Sequence, residues 1–330
     1  MKFKTKIYIF VPGLLLVGFG LGFGVFAYTH RNLNSTCDKS KFFYINQQLA
    51  CDDNAIVSKS SYAKLKSQLD DFIQTKIKDG EASDIAVYFR DLQNGPTLGI
   101  NEHDKFVPAS LLKVPLMLAY LDLAEDQPKL LETKVVYQAI ENQPLQNFPA
   151  KDPIIEDKPY TLSELIQHMI DHSDNSAYFV LLEYLKQISP EKDLLKDLYT
   201  RMGIIDPQNS LEDSLSVKSY SSILVQLYHS SFFDKKETSE KALEYMADTD
   251  FNDGIVAGVP SKIRVAHKFG ERANLENDQK QLHDCGIIYY PGNPYLLCVM
   301  TRGNDWQKLT SIISSISKTV YEEFDSRRLK

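Results

Sequence analysis

Apolar positions Leu65, Leu69, Phe72 and Ile73 recur at steps of three and four within 60–77, which predicts an amphipathic helix. Residues 85–90 alternate apolar and polar like a half-buried strand, Asn94-Gly95 supplies a hairpin turn, and the chain returns over 97–100. The middle of the chain is helical in pattern, at 110–125, 161–171, 174–187, 191–202, 217–230 and 238–248, with Thr161 and Glu164 placed as a capping box. Strand patterns return at 262–267, 284–290 and 295–301, the last two joined by Pro291-Gly292-Asn293-Pro294, and a closing helix covers 306–324. Two strands, a block of helices, three strands and a helix make an α+β chain: an antiparallel sheet flanked by terminal helices, plus an all-helical lobe. The expected division is a sheet lobe of 59–109 and 250–330 and a helical lobe of 110–249, with a cleft between them.

The first 58 residues follow neither period. Lys2, Lys4 and Lys6 precede an uncharged apolar run over 7–29, long enough to cross a bilayer, so one N-terminal transmembrane helix is expected within 1–29. The positive flank places the N-terminus in the cytoplasm and everything after His30 outside. Cleavage after Val25-Phe26-Ala27, as in a secretory signal, is the alternative; the run exceeds the usual signal core, which favours a retained anchor. Residues 30–58 are polar and without period and read as an extracytoplasmic tether, leaving 59–330 as the folded domain.

With 37 Lys and Arg against 44 Asp and Glu, the chain carries −7; removing the three N-terminal lysines leaves −10 for the exported part. An acidic surface excludes nucleic-acid partners. The sequence leaves oligomeric state open. Cys37 and Cys51 lie in the tether and could bridge, while Cys285 and Cys298 fall in adjacent strand patterns as either a bridge or two buried thiols.

Candidate chemistry is narrow. There is no GxSxG, no HExxH and no phosphate-binding glycine loop. His168 and His172 stand four apart on one helix, yet no third ligand accompanies them at a recognisable spacing, so they read as surface or interface histidines. His267 and His283 read the same way, and no metal or other cofactor is expected. Ser-x-x-Lys occurs at Ser61, Ser110, Ser189 and Ser315, but only Ser110 opens an almost wholly apolar helix, in which Lys113 is the one cation. A desolvated lysine one turn from a serine can act as the base that activates it.

Three segments in order resemble the motifs of the penicillin-recognising serine hydrolases, in particular the class A β-lactamase-like branch with its β-lactamase/transpeptidase-like fold. They are Pro108-Ala109-Ser110-Leu111-Leu112-Lys113, then Ser173-Asp174-Asn175 opening a helix, then Lys268-Phe269-Gly270 ending a strand ahead of a hairpin. The resemblance implies that Ser110 forms an acyl-enzyme, that Lys113 removes or tunes removal of its proton, and that Ser173 relays a proton to the leaving nitrogen. It further implies that Asn175, Lys268 and Gly270 bind substrate and that the backbone N–H groups of Ser110 and Glu271 form an oxyanion hole. Ser173 to Asn175 could equally serve as a helix N-cap.

Two departures bear on what the resemblance implies. Phe269 replaces the Thr or Ser of the third motif, removing a hydroxyl that contacts a substrate carboxylate. The connection over 204–216 has no Glu-x-x-Leu-Asn pattern to drive deacylation, and its carboxylates, Glu212 and Asp213, read as surface charge. The expected function is a membrane-anchored extracytoplasmic serine hydrolase acting through an acyl-enzyme on a β-lactam or a D-alanyl peptide of peptidoglycan, with weak β-lactam turnover. A catalytically idle module that binds or senses cell-wall peptides in the same cleft is the alternative.

Overall fold

Helix α1 (Ala63–Lys78) realises the predicted period, burying Leu65, Leu69 and Ile73 on one stripe. The structure, a computed structural model, describes residues 42–46, 62–139, 146–204 and 212–328. Residues 42–46, expected in the tether, instead pack on the domain: Ile45 is buried, and the N–H groups of Phe43, Tyr44 and Ile45 donate to the Glu240 carboxylate. The expected membrane span at 7–29, Cys37, Cys51, most of the tether and part of the 204–216 connection lie outside the described residues. Among the described residues no helix is long and apolar enough to cross a membrane.

Strands β1 (Asp84–Asp91) and β2 (Thr97–Ile100) form the predicted hairpin. Its turn works because Gly95 takes φ +84° and the Asp91 carboxylate accepts from the backbone N–H groups of Gln93 and Asn94. After a short two-stranded sheet of β3 (Lys134–Val136) and β4 (Pro159–Thr161), the chain returns to the main sheet as β5 (Val265–Asn274), β6 (Gln279–Ile288) and β7 (Tyr295–Gly303). The main sheet runs β2-β1-β7-β6-β5, all neighbours antiparallel, so the early hairpin and the late strands do share one sheet. α1 and α8 (Trp306–Arg328) cover one face over a core that includes Val87, Phe89, Phe269, Leu297 and Ile313.

The opposite face carries the helices α2 (Lys113–Asp126), α3 (Leu162–Asp171), α4 (Asn175–Ile188), α5 (Leu194–Arg201), α6 (Val217–Tyr228) and α7 (Lys236–Ala247). α2 is buried on all sides from Lys113 to Leu121, as a helix without a polar face must be. Thr161 and Glu164 make both hydrogen bonds of the predicted capping box at the start of α3.

Two differences from the sequence reading matter for the site. The third motif does not end a strand: β5 continues four residues past Gly270 to Asn274, and β6 starts at Gln279 rather than 284. The hairpin is extended by polar residues, such as Arg272 with Gln281, which pair through their backbones and show no alternation for a sequence pattern to register. Cys285 and Cys298 face each other on β6 and β7 and form a disulfide, which resolves the open alternative between a bridge and two thiols.

Candidate active site

The segment before the first motif is held by both backbone groups of Val107. Its N–H donates to Gln281 Oε1 at 3.0 Å, and its carbonyl accepts from His283 Nε2 at 3.0 Å. A carbonyl can only accept, so this bond assigns the proton to Nε2. Burial pushes the His283 imidazole down to about 4, which keeps it neutral and fixes that tautomer. The chain then turns through Ala109, at φ +49°, a left-handed conformation that costs a residue with a Cβ about 1 kcal/mol or more.

The helix expected from 110 begins as a 3₁₀ turn, Ala109–Leu112, and α2 proper starts at Lys113. Ser110 is thus half-buried at the lip of a helix whose first residue, Lys113, is 2% exposed. Gly270 lies against this turn: a Cβ there would sit 3.1 Å from Leu111 Cγ, 3.2 Å from the Pro108 carbonyl and 3.3 Å from the Leu111 nitrogen. That close approach gives the third motif its physical need for glycine.

The second motif forms the turn between α3 and α4. Ser173 takes φ +53°, and Asp174, not Ser173, is the N-cap: its Oδ1 accepts from the N–H groups of Ser176 and Ala177. The other oxygen of Asp174 accepts from the N–H of Ile154 at 2.8 Å. With the cap assigned to Asp174, Ser173 and Asn175 are free to turn inward. Lys113 Nζ donates to the Ser173 carbonyl at 2.6 Å, to Ser173 Oγ at 3.1 Å and to Asn175 Oδ1 at 2.8 Å. First and second motifs therefore meet at one amine. Burial, and next the charge of Lys268, pushes that amine well below the usual lysine range.

Lys268 reaches the same region from β5. Phe269 belongs to the core under α1 and α8, stacked on Phe251 with ring centroids 4.1 Å apart, so strand alternation puts Lys268 and Gly270 on the helical-lobe face. Lys268 is fully buried, and its Nζ has no hydrogen-bond partner among the described residues. Burial lowers its pKa to about 7 against the pull of Asp284, Asp250, Glu271 and Asp171. β5 is an edge strand, and its backbone parity is readable: the Arg264 carbonyl accepts from Tyr289 N–H of the β6 chain, whereas the His267 carbonyl turns out to Thr249 Oγ1. Residues of the same parity as His267, including Glu271, direct their N–H to the open edge.

A segment that carries none of the three motifs borders this site. Residues 146–154 run from β5 to the second motif as a strap. Gln146 Nε2 donates to the Ser173 carbonyl at 3.0 Å, and the N–H groups of Asn147 and Phe148 donate to the two carboxylate oxygens of Glu271 at 2.9 and 3.0 Å. Phe148 packs edge-on against Phe251, Phe269 and Trp306. The sequence gives little signal for the strap, because its partners are backbone groups distant along the chain.

Other candidates fall elsewhere. His267 and His283 are core residues, 1% and 0% exposed, not surface ones; His267 Nδ1 bonds Asp284 Oδ1 at 2.8 Å on the terminal-helix face. Glu212 and Asp213 are both exposed, in keeping with their reading as surface charge, and Asp213 bonds Arg302 at 2.6 Å and Gln281 at 3.1 Å. His168 and His172 acquire Asp152 as a neighbour.

The family model described as the Beta-lactamase enzyme family matches residues 64–324. A protein of Bacteroides uniformis described as a β-lactamase is 27% identical over 276 residues, 79% of this chain and 92% of the relative. Two solved structures share the fold. A class A β-lactamase from Bacteroides cellulosilyticus DSM 14838 has a TM-score of 0.66 at 22% identity, covering 79% of this chain and 99% of the other. The penicillin G acyl-enzyme of a PBP-A mutant has a TM-score of 0.64 at 20% identity, covering 82% of this chain and 100% of the other.

Proposed function

Because the chain belongs to the β-lactamase enzyme family, we propose that it is a serine hydrolase that acylates Ser110 with β-lactams or D-alanyl peptides, acting outside the cytoplasm from a membrane anchor at 7–29. The observation that carries this reading is the buried Lys113 amine bonded to both Ser173 and Asn175 one turn from Ser110. As an ammonium, Lys113 spends its three N–H bonds on the three acceptors around it. As a free amine, favoured by its burial beside Lys268, it has a lone pair to take the Ser110 proton.

Ser110 Oγ then bonds the substrate carbonyl carbon, and the negative charge on the carbonyl oxygen is met by the N–H groups of Ser110 and Glu271. The proton held on Lys113 passes through Ser173 Oγ to the leaving nitrogen as the amide bond breaks. Lys268, buried without a partner, offers its charge to a substrate carboxylate, and Asn175 orients the substrate amide. Water completes the cycle by hydrolysing the ester. Asp213 is engaged by Arg302 and Gln281, an arrangement that leaves it poorly placed to activate that water and so supports slow turnover. The Cys285–Cys298 bridge supports an oxidising compartment.

Incubation with penicillin G followed by intact mass tests the reading: wild type gains one penicilloyl mass and Ser110→Ala none. An adduct lasting hours identifies a penicillin-binding peptidase, to be checked by release of D-alanine from a D-alanyl-D-alanine peptide; rapid loss identifies a β-lactamase. A folded wild type that never acquires the adduct is the idle binding module suggested by Phe269.

A further inference from the structure

Beside the catalytic turn, on the outer side of α3, stand two histidines and an aspartate that the proposed reaction does not use. His168 lies in the last turn of α3 and His172 caps its end, and one ligand atom each from His168, His172 and Asp152 of the strap lie within 4.8 Å of one another. The rings are already oriented. His168 Nδ1 is 2.8 Å from the Asp152 backbone carbonyl, and His172 Nδ1 is 3.0 Å from Asp250 Oδ2. A carbonyl and a carboxylate accept, so both rings carry their proton on Nδ1 and, when neutral, present an Nε2 lone pair. Imidazoles held through Nδ1 in this way are the usual form of metal-ligating histidines. The C-terminal end of α3 adds its negative dipole, and Asp250, which also contacts Lys151, adds a second carboxylate.

We propose that Asp152, His168 and His172 form a binding site for a divalent transition ion of the zinc class, and that the bound ion clamps the strap to the helix end that presents Ser173. Two imidazoles and one carboxylate suit zinc, and three protein ligands leave a fourth position for water. Bonds of about 2.0–2.2 Å require ligand atoms roughly 3.3 Å apart in a tetrahedron, so the three ligand atoms, now within 4.8 Å of one another, draw together as the ion binds. The clamp follows from connectivity. Asp152 lies two residues before Ile154, whose N–H is bound by Asp174, and six after Gln146, which is bonded to the Ser173 carbonyl.

The test uses the full-length protein in detergent without a histidine tag, titrated calorimetrically with ZnCl2 and, in parallel, with CoCl2 followed by visible absorption. One saturable site is expected, with cobalt d–d bands abolished by chelator. His168→Gln and Asp152→Asn should each weaken binding at least about tenfold, and Asp250→Asn, which keeps all three ligands, about 10–100-fold. Hydrogen exchange over 146–154 should slow when zinc is added to wild type. Circular dichroism melts confirm that each variant is folded. Absence of saturable uptake by wild type overturns the site. Uptake unchanged in Asp152→Asn overturns the three-ligand assignment, and unchanged exchange overturns the clamp.

Discussion

The two faces of β5 are built for different ends. On one, Phe269 stacks on Phe251 with Phe148 at its edge, and the buried polar pair His267 and Asp284 is hydrogen-bonded. On the other, one residue earlier, Lys268 is equally buried and has no hydrogen bond, 4.3 Å from the centroid of the Phe269 ring. The first face satisfies every requirement of a stable core. The second carries an amine whose burial costs stability despite the pull of nearby carboxylates, and an arriving anion would supply a hydrogen-bond acceptor, so it is organised for binding.

Breaking the second face has the largest expected effect. Lys113→Ala should slow acylation by about 10²–10⁴, measured by stopped-flow with a chromogenic cephalosporin, with the fold intact by circular dichroism. Breaking the first face is mainly a stability experiment: Phe269→Ala should cost about 3–5 kcal/mol in denaturant unfolding while acylation below the melting point stays within tenfold of wild type. A large loss of acylation in that variant would show that the two faces are not separable.

Lys268→Met sharpens the contrast by moving the quantities in opposite directions. Affinity for carboxylate-bearing substrates should fall about 10–100-fold, read as KM, while stability at pH 6 rises by roughly 2–4 kcal/mol. The sign follows from titration. The native amine titrates near 7 and an unfolded lysine near 10.4, so between those values the unfolded chain binds more protons and wild-type stability climbs with pH. The gain from Lys268→Met is therefore full below pH 7 and fades toward pH 10. For the same reason acylation should fall on the alkaline side with an apparent pKa near 7 as Lys268 loses its charge, and Lys268→Arg should carry that limb above pH 9. The smallest effect expected is that of Asp213→Asn, under about 1 kcal/mol, because its ion pair with Arg302 is partly exposed.

What could be read from the sequence follows the same division. Elements with one apolar face, such as α1 and α3, declare themselves through periodicity, and α2 does so through an apolar run holding one lysine. The Ser110, Ser173 and Lys268 motifs were visible, and the fold brings Lys113 to Ser173 and Asn175 and sets Gly270 against the turn that carries Ser110. The ends of β5 and β6 were hidden because polar residues pair there through backbone alone. The strap was hidden because its anchors lie as far away as Glu271, more than 120 residues from Phe148. Asp152 could not be joined to His168 because sixteen residues separate them, and the short β3–β4 sheet and the Asp174–Ile154 bond help bring them side by side.

The disulfide between Cys285 and Cys298 sits in the middle of the sheet, one strand away from the edge that borders the cleft. Side chains alternate faces along β6, so Gln281 and His283 lie on the same side as Cys285. A slip of one residue between β6 and β7 would reverse that side. Val107 would then lose the acceptor for its N–H and the donor for its carbonyl, and the approach to Ser110 would be unmoored at both. The bridge thus acts as a dowel: by fixing which residue faces which across two central strands, it aligns a reactive hydroxyl it never touches.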